Sequence, residues 1–269
     1  MHDLGHTALL LQTSAIRLDH GQVVPVEEML AEETPVSMVY NGAAHAVMMA
    51  TPHDLDDFAV GFSLTEGLIQ RADEIAAVSV VRYSKGIELQ IETSVAIASG
   101  VRSRRLSGRT GCGICGMEDV EHVLRELPHV ESTARFTAMA IACAMDELSR
   151  RQPLNAASGA VHAAAWADAQ GVIAFVREDV GRHNALDKVV GAMTRADREA
   201  RGGFVVLTSR GSFELVQKAA ILGVALVATV SAPTALAVRM AGDAGITLAG
   251  FARDGRVTVY THPDRIVAS

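Results

Sequence analysis

The sequence predicts an α/β protein in two parts: a smaller strand-rich N-terminal part and a larger part in which strands and helices alternate. Asn41 and Gly42 stand between two β-type runs in "SMVYNGAAHAVMMA", which is typical of a hairpin. From about residue 155, β-type runs such as "GGFVVLTS" alternate with helical patterns such as "SFELVQKAAILG". The chain has 269 residues, of which 49% are hydrophobic, so it can bury a sizeable core.

The N-terminal part is predicted to consist of strands around one helix. In "DLDDFAVGFSLTEGL", Leu55, Phe58 and Phe62 follow a helical period, and acidic residues stand at the start, where the helix dipole favours them. The stretch "IAAVSVVRYSKGIELQIE" predicts a second hairpin that turns near Lys85 and Gly86.

After the segment 98–117, helices are predicted over Glu118–Leu127 and from Thr137 to Arg151, and the runs "AVHAAAWAD" and "VIAFVRED" predict a hairpin. Three further helices alternate with strands, and "ITLAGFA" and "RVTVYT" form the last two strands. This alternation predicts a mostly parallel sheet that is covered on both faces.

The composition excludes several classes of protein. The net charge of −7 and an aromatic content of 4% argue against nucleic-acid binding. The N-terminus lacks the basic region of a signal peptide, and the longest apolar run, 219–228, is about half of what spans a bilayer. We therefore expect a cytoplasmic protein that makes no membrane contact and whose three cysteines stay reduced.

Three segments lie where predicted strands pass into helices: Arg177–Asn184, Thr208–Ser212 and Ser231–Thr234. Ligands of open α/β sheets bind at the carboxyl ends of strands, and the free N–H groups at a helix N-terminus suit an anion. The sequence therefore predicts a crevice for a phosphorylated ligand. The side chains that would add charge or hydroxyl donors are Arg182, Ser209, Arg210, Ser212 and Ser231.

A structural explanation of the same segments stays open. Ser212 and Ser231 would serve as N-caps without any ligand. Arg177, Glu178, Asp179 and Arg182 could form an internal salt-bridge network. Neither a Rossmann fingerprint nor a Walker A loop is present.

The segment 98–117, rich in glycine and arginine, contains "GRTGCGICG". Its cysteine pair, Cys112 and Cys115, could be half of a zinc site, a redox disulfide or a nucleophilic sulfur on a loop. Zinc needs two further ligands, which the neighbourhood does not provide, and Cys143 is expected to be a small core residue. The zinc-deaminase pattern is also missing, because His162 is followed by Ala163 and Ala164 instead of the x-Glu of that pattern, and the cysteine pair comes first.

The glycines around the pair predict a mobile arm instead of a rigid redox corner. Arg109 and the neighbouring arginines would favour the thiolate, which is the reactive form of cysteine. A persulfide relay needs a nucleophilic sulfur, reach and a site that holds the acceptor, and the sequence provides candidates for all three.

The chain resembles the formate dehydrogenase accessory sulfurtransferase family, FdhD. The matching stretches, spread over almost the whole chain, are "TPHDLDDFAVGFSLTEGLI", "GRTGCGICG", "REDVGRHNALDKVVG", "SRGSFELVQKAAILGV", "SAPTALAV" and "LAGFARDGRVTVYTHPDR". A CxxC pair alone is weak evidence, whereas six such stretches in this order are highly specific.

The resemblance implies sulfur transfer. Sulfur would come from a cysteine desulfurase as a persulfide on Cys112, with Cys115 as an assisting or resolving thiol. The acceptor would be the molybdenum (or tungsten) bis(molybdopterin guanine dinucleotide) cofactor, which is needed by the formate dehydrogenase apoprotein. No permanently bound metal is expected, and homodimers are usual in the family.

The resemblance also implies a fold and a second binding segment. The fold would be a cytidine-deaminase-like α/β sandwich with a mixed sheet over 131–269, plus a smaller α+β lobe over 1–130 that ends in the CxxC loop. The cofactor-binding segment maps to Phe251–Arg256, comprising Phe251, Ala252, Arg253, Asp254, Gly255 and Arg256. Asp254 departs from what an anionic ligand would favour, although Arg253 and Arg256 could neutralise it.

Two other functions remain open at this stage. A non-enzymatic chaperone would bind the cofactor and the apoenzyme, and the cysteines would then serve only redox or metal control. A metal-binding module would carry stoichiometric zinc, and it ranks last because two ligands are missing.

Overall fold

The computed structural model describes residues 8–97 and 126–267. The predicted loop 98–117, with its cysteine pair Cys112 and Cys115, therefore lies outside the described residues. The predicted helix Glu118–Leu127 also lies outside them except for its last two residues, which are not helical.

The N-terminal lobe contains a two-stranded ribbon and a four-stranded sheet. The ribbon pairs β1 (Leu10–Asp19) with β2 (Gln22–Ala31). The sheet has the order β4-β3-β6-β5, with the bounds β3 Thr34–Tyr40, β4 Ala43–Ala50, β5 Ile75–Tyr83 and β6 Gly86–Thr93. Both predicted hairpins, at Asn41 and near Lys85, are confirmed.

The predicted helix of this lobe is α1, Leu55–Thr65. Phe58 and Phe62 are fully buried against one face of the four-stranded sheet, where Leu89 and Ile91 of β6 complete the contact. The apolar period of α1 thus produces a separate hydrophobic core for this lobe.

The remaining elements follow in alternation, as the sequence predicts. Strand β7 (Phe136–Thr137) pairs with β14 (Ile266–Val267), outside the main sheet. The helices are α2 Ala138–Arg150, α3 Pro153–Ser158, α4 Arg182–Arg195, α5 Phe213–Leu222 and α6 Ala235–Asp243. The strands are β8 His162–Asp168, β9 Ile173–Asp179, β10 Gly203–Leu207, β11 Leu226–Thr229, β12 Thr247–Arg253 and β13 Arg256–Val259.

These strands form one six-stranded sheet of order β13-β12-β11-β10-β8-β9. Only β10, β11 and β12 pair in parallel, so the prediction of a mostly parallel sheet is wrong. The reason is that β8–β9 and β12–β13 are tight hairpins, which pair antiparallel by construction. The mixed sheet implied by the family resemblance is confirmed.

Both faces of the sheet are covered, as predicted. Every residue of β10 and β11 is buried, which requires packing on the two sides. A second hydrophobic core therefore lies around this sheet, with Trp166, Phe204 and Leu186 among its fully buried side chains. The division into lobes at residue 130 stays a prediction.

Helix α2 corrects one expectation about the cysteines. Its start is as predicted, because the Thr137 hydroxyl accepts a hydrogen bond from the Ala140 amide at 3.0 Å. Cys143, however, lies on the exposed side of α2, so it is not a core residue. Ile141 and Ala144 occupy the buried side instead.

Candidate functional site

The carboxyl ends of four strands share one edge of the six-stranded sheet. Strands β10, β11 and β12 are parallel, and β9 has the same direction because it is antiparallel to β8, which is antiparallel to β10. The three predicted strand-to-helix junctions therefore lie on one edge, as the crevice hypothesis requires. We call this edge the carboxyl edge.

The first two junctions are in direct contact. The Nε2 atom of His183, in the first turn of α4, lies 2.8 Å from Oε2 of Glu214 and 3.4 Å from the Ser212 hydroxyl oxygen. His183 and Ser212 are both buried. The N-termini of α4 and α5 are consequently held side by side.

The second and third junctions are also joined, in this case through the backbone. Gly211 and Pro233 form a parallel bridge, and the Thr234 amide donates to the Gly211 carbonyl at 2.9 Å. The Phe251 amide in turn donates to the Ser231 carbonyl at 3.3 Å. The start of the predicted segment Phe251–Arg256 is thus part of the same edge.

The capping expectation is correct for one serine position and wrong for the other. Ser212 occupies the N-cap of α5, although its hydroxyl does not bond to the helix backbone. Ser231 is not a cap, because α6 begins later, and Thr234 accepts from the Ala237 amide at 3.2 Å. The N-cap of helix α4 is Gly181, which has no side chain that could accept a hydrogen bond. The N-termini of α4 and α5 therefore have no side-chain cap bond on the carboxyl edge.

Positive and hydroxyl groups surround these helix ends. Arg182 is half-buried at the start of α4, and Arg210 is exposed in the loop before α5. Ser209 is buried, and its hydroxyl donates to the Arg210 carbonyl at 3.2 Å. All the predicted anion-binding side chains of the first two junctions are thus at one place, whereas Ser231 is exposed beside Phe251.

His162, the first residue of β8, lies on the same edge and was not predicted as a site residue. Burial lowers the pKa of His162, and the positive charges of Arg182 and His183 lower it further, against a smaller opposing effect of Asp179. A histidine with a pKa below its ordinary value is uncharged at neutral pH. The sequence offers one indication of this position: His162 starts the first strand of a predicted hairpin whose second strand runs into "REDVGRHN".

The segment Phe251–Arg256 divides into two structural parts. Phe251 is exposed at a β-bulge of β12, with a positive φ of 51°. Asp254 and Gly255 form the β12–β13 turn, with φ of 53° and 70°. An Asp-Gly pair is favoured in such a turn, so Asp254 is explained by the hairpin. Arg253 and Arg256, which are paired across the hairpin, are both exposed. Cofactor binding by these six residues stays a prediction.

Arg177 and Asp179 belong to the salt-bridge network that was the alternative explanation of the first junction, and both are ion-paired, but with residues outside that network. Arg177 contacts Asp57 of α1 at 2.7 Å. Asp179 pairs with Lys188 at 2.6 Å, and both side chains are completely buried. Glu178 departs from this pattern, because it accepts from the backbone amides of Leu154 and Asn155 at the start of α3.

Asp179 also fixes the carboxyl edge to the N-terminal lobe. Its carboxylate accepts hydrogen bonds from the amides of Thr51 at 3.0 Å and Gly181 at 2.7 Å, and from the Asn184 side chain at 2.9 Å. One carboxylate therefore positions the first turn of α4 and the end of β4. Sequence reasoning missed Thr51 because nothing local indicates a partner 128 residues away.

A second buried cation joins the two lobes on α5. Lys218 contacts Asp187 at 2.8 Å and Glu66 at 3.1 Å, and Thr65 donates to Asp187 at 2.6 Å. Burial alone would lower the pKa of Lys218, but the two carboxylates raise it overall. Lys188 and Lys218, which both lie well inside their helices, are thus both salt-bridge partners of buried carboxylates.

Within residues 8–97 and 126–267, no three His, Cys, Asp or Glu side chains are grouped so that they could hold a metal ion. In the same ranges, no helix is both long and apolar enough to span a membrane.

The fold has a solved counterpart. The chain matches the crystal structure of a putative formate dehydrogenase accessory protein from Desulfotalea psychrophila with a TM-score of 0.78. The match covers 97% of this chain and 100% of that one, at 24% sequence identity. At this identity the comparison establishes the α/β fold with its mixed sheet.

Sequence comparison then assigns the family. The model of the FdhD/NarQ family matches residues 31–267. The sulfur carrier protein FdhD of Xanthomonas axonopodis pv. citri (strain 306) is 52% identical over 248 residues, covering 91% of this chain and 88% of that protein. The sulfur carrier protein FdhD of Bordetella petrii is 48% identical over 241 residues, covering 89% and 87%. The chain therefore belongs to the FdhD/NarQ family.

Proposed function

We propose that this protein is a sulfurtransferase that carries sulfur as a persulfide on Cys112 and delivers it to the molybdenum bis(molybdopterin guanine dinucleotide) cofactor of a formate dehydrogenase. The observation that carries the proposal is the identity of about one half, over nine tenths of the chain, with proteins named sulfur carriers. The accessory protein of similar fold supports the connection to formate dehydrogenase.

The loading step follows from thiol chemistry. The Cys112 thiolate attacks the outer sulfur of a persulfide on a cysteine desulfurase, the S–S bond breaks, and the desulfurase thiolate leaves. Bond formation and cleavage balance, so this step needs no oxidant. Arg109 and the other arginines of "VRSRRLSGR" supply positive charge near the cysteines in the sequence, which favours the attacking thiolate.

The unloading step transfers the outer sulfur to the metal of the acceptor. The persulfide S–S bond breaks with its electron pair on the Cys112 sulfur, and the metal supplies the two electrons that turn the transferred atom into a sulfido ligand. We assign to Cys115 an assisting or resolving role in this cycle.

The carboxyl edge supports the proposal as a place for the acceptor. Phosphate groups of its guanine nucleotide halves would meet the N-terminal amides of α4 and α5, with Arg182 and Arg210 as counter-charges. The hydroxyls of Ser209 and Ser212 are additional donors, and Ser231 with Phe251–Arg256 would form the other side of the site. Here the acceptor is a substrate that is bound and released.

The partners in this proposal are the desulfurase, the formate dehydrogenase apoprotein and a second copy of the chain as a homodimer. The reaction belongs to the cytoplasm. No nucleic acid has a role in it.

The decisive experiment incubates the purified protein with a cysteine desulfurase and cysteine and then measures the intact mass. We expect wild type to gain the mass of one sulfur atom, mapped to Cys112 by peptide analysis. Cys112→Ala should lose this addition, and Cys143→Ala serves as the matched control because the Cys143 thiol is exposed.

A persistent sulfur addition on Cys112→Ala would overturn the assignment of the carrier. The chaperone hypothesis is tested with the double variant Cys112→Ala/Cys115→Ala. Full activity of formate dehydrogenase matured with that variant would favour a chaperone over a sulfurtransferase.

A further inference from the structure

A histidine and a glutamate link the first turns of α4 and α5 below the surface of the carboxyl edge. Nε2 of His183 lies 2.8 Å from Oε2 of Glu214, and only 7% of the His183 side chain and 15% of the Glu214 side chain are exposed. An ionised carboxylate only accepts hydrogen bonds, so Nε2 carries the hydrogen that is donated to Glu214. A proton that His183 takes up or releases is therefore carried by its other ring nitrogen, Nδ1.

The first turn of α4 carries charges of the sign that a helix N-terminus disfavours. Arg182 and His183 are both basic, no acidic residue stands in this turn, and the N-cap Gly181 makes no side-chain cap bond. The dipole of α4 is thus opposed by its own first residues. A bound anion would be attracted by both side chains and by the free amides, so a ligand explains this arrangement better than helix stability does.

Glu214 has the opposite effect at the neighbouring helix. It lies in the first turn of α5, where the helix dipole stabilises its negative charge. The phosphate groups of the proposed acceptor would lie in the same positive field, so the Glu214 carboxylate competes with them. When His183 is protonated, the pair with Glu214 is neutral overall, whereas with an uncharged His183 the carboxylate repels a phosphate.

Other charged groups on the elements packed against α4 have partners of their own. The pairs are Asp179 with Lys188, Asp187 and Glu66 with Lys218, Asp54 and Asp57 with Arg177, Asp57 also with Arg195, and Glu178 with the backbone amides of α3.

His162 of β8 also faces this region. Burial, and then the positive charges of Arg182 and His183, lower the pKa of His162, so it is uncharged at neutral pH. Arg182 and Arg210 keep their charge throughout the physiological range. Histidine is the side chain whose charge responds most readily near neutral pH. Among the described residues at the first two junctions, His183 is thus the group whose charge a ligand can change.

We infer that Glu214 is a positioning residue that couples anion binding at the carboxyl edge to protonation of His183, an inference that rests on the proposed function. Binding of the acceptor phosphates transfers one proton from the solvent to Nδ1 of His183, and release of the ligand returns this proton. The bound state then holds a neutral pair of His183 and Glu214 beside the phosphates. Affinity for the phosphates consequently falls as the pH rises and the imidazole loses its proton.

The test is isothermal titration of the full chain with diguanosine pyrophosphate at several pH values between pH 6 and pH 8. The charge of this probe is constant over the range, because each of its phosphates is esterified. We expect the affinity of wild type to fall about tenfold from pH 6 to pH 8. Titrations in two buffers of different ionisation enthalpy should show that wild type takes up a proton when the probe binds.

Glu214→Gln removes the competing charge and keeps the size of the side chain. We expect this variant to bind the probe at pH 8 about as tightly as wild type does at pH 6, and with little pH dependence. If Glu214 had only a structural role, the substitution would weaken binding at every pH. His183→Gln leaves the Glu214 charge without its partner, so it should bind the probe weakly throughout the range.

His162→Asn is the matched control, because it removes the neighbouring imidazole and should keep the pH dependence of wild type. Thermal unfolding of each variant separates folding from binding, and the proton uptake of wild type needs no variant. Binding by wild type without pH dependence, or a pH dependence that is lost in His162→Asn and kept in Glu214→Gln, would overturn the inference alone. Failure of wild type to bind the probe at any pH would instead refute the guanine-nucleotide acceptor, and the coupling with it.

Discussion

At the residue scale, His162 shows that the carboxyl edge disfavours an additional positive charge. It is half-buried, and it meets the positive field of Arg182 and His183 in the first turn of α4. Burial disfavours the charged form of His162, and the nearby Arg182 and His183 disfavour it further, which is why the pKa of His162 lies below its ordinary value. An anionic ligand bound close to Arg182 and His183 would offset their positive charge.

The lowered pKa of His162 has a consequence for stability. The unfolded chain takes up the proton at higher pH than the folded chain, so the contribution of this group is present above about pH 6.5 and is lost as the pH falls through the folded-state pKa. We expect wild type to lose more unfolding free energy between pH 7 and pH 5 than His162→Asn.

Urea denaturation at each pH measures this difference. His20→Asn is the control for the exchange of histidine for asparagine, because the His20 side chain lies in solvent at the turn between β1 and β2. A His162→Asn protein with the pH profile of wild type would contradict the expected pKa direction.

At the element scale, the sequence predicts hairpins between consecutive strands but not how strands that are far apart in the chain pair. The hairpin at Asn41 and the start of α2 at Thr137 are visible in the sequence because turns and caps have local chemical requirements. The direction of β8 and β13 depends on which strands become neighbours, and alternation alone does not encode this. The exact start of a helix is likewise not encoded by a single serine, so Ser231 resembles a cap in the sequence although Thr234 is the N-cap of α6.

The cap of α6 gives a matched pair of substitutions. Thr234→Ala removes the hydroxyl that accepts from the Ala237 amide, which should cost about 1 kcal/mol of unfolding free energy. Ser231→Ala should cost much less, since the exposed Ser231 offers no cap. Chemical denaturation of both variants tests this order, and an equal loss would contradict it.

At the scale of the whole molecule, buried charges join the two lobes. Helix α1 and helix α4 approach so closely that a Cβ atom on Gly61 would overlap the Asp187 carbonyl. Around this contact, Asp179 with Lys188 and Asp187 with Lys218 connect residues of both lobes. The junction residues were recognisable in the sequence, but these partners were not, because a buried network is defined by positions far apart in the chain.

Lys188→Met tests how much the inter-lobe network contributes. It leaves the fully buried Asp179 carboxylate without its cation, and losing one partner of a buried pair costs about 3–5 kcal/mol. Arg195→Ala removes a half-exposed partner of Asp57 and should cost about 1 kcal/mol or less. Denaturation midpoints compare the two, and a Lys188→Met protein as stable as Arg195→Ala would contradict this account.

The separation in sequence between Asp57 of α1 and its partners also affects the order in which the chain can fold during synthesis. Asp57 and Thr51 leave the ribosome early, but the partners of Asp57, Arg177 and Arg195, are 120 and 138 residues later, and Asp179 is 128 residues after Thr51. Domains generally fold as units during synthesis, N-terminal first. Until α4 has been translated, Asp57 therefore lacks both arginines that neutralise it in the folded protein, so we expect the two lobes to dock late in the synthesis of the chain.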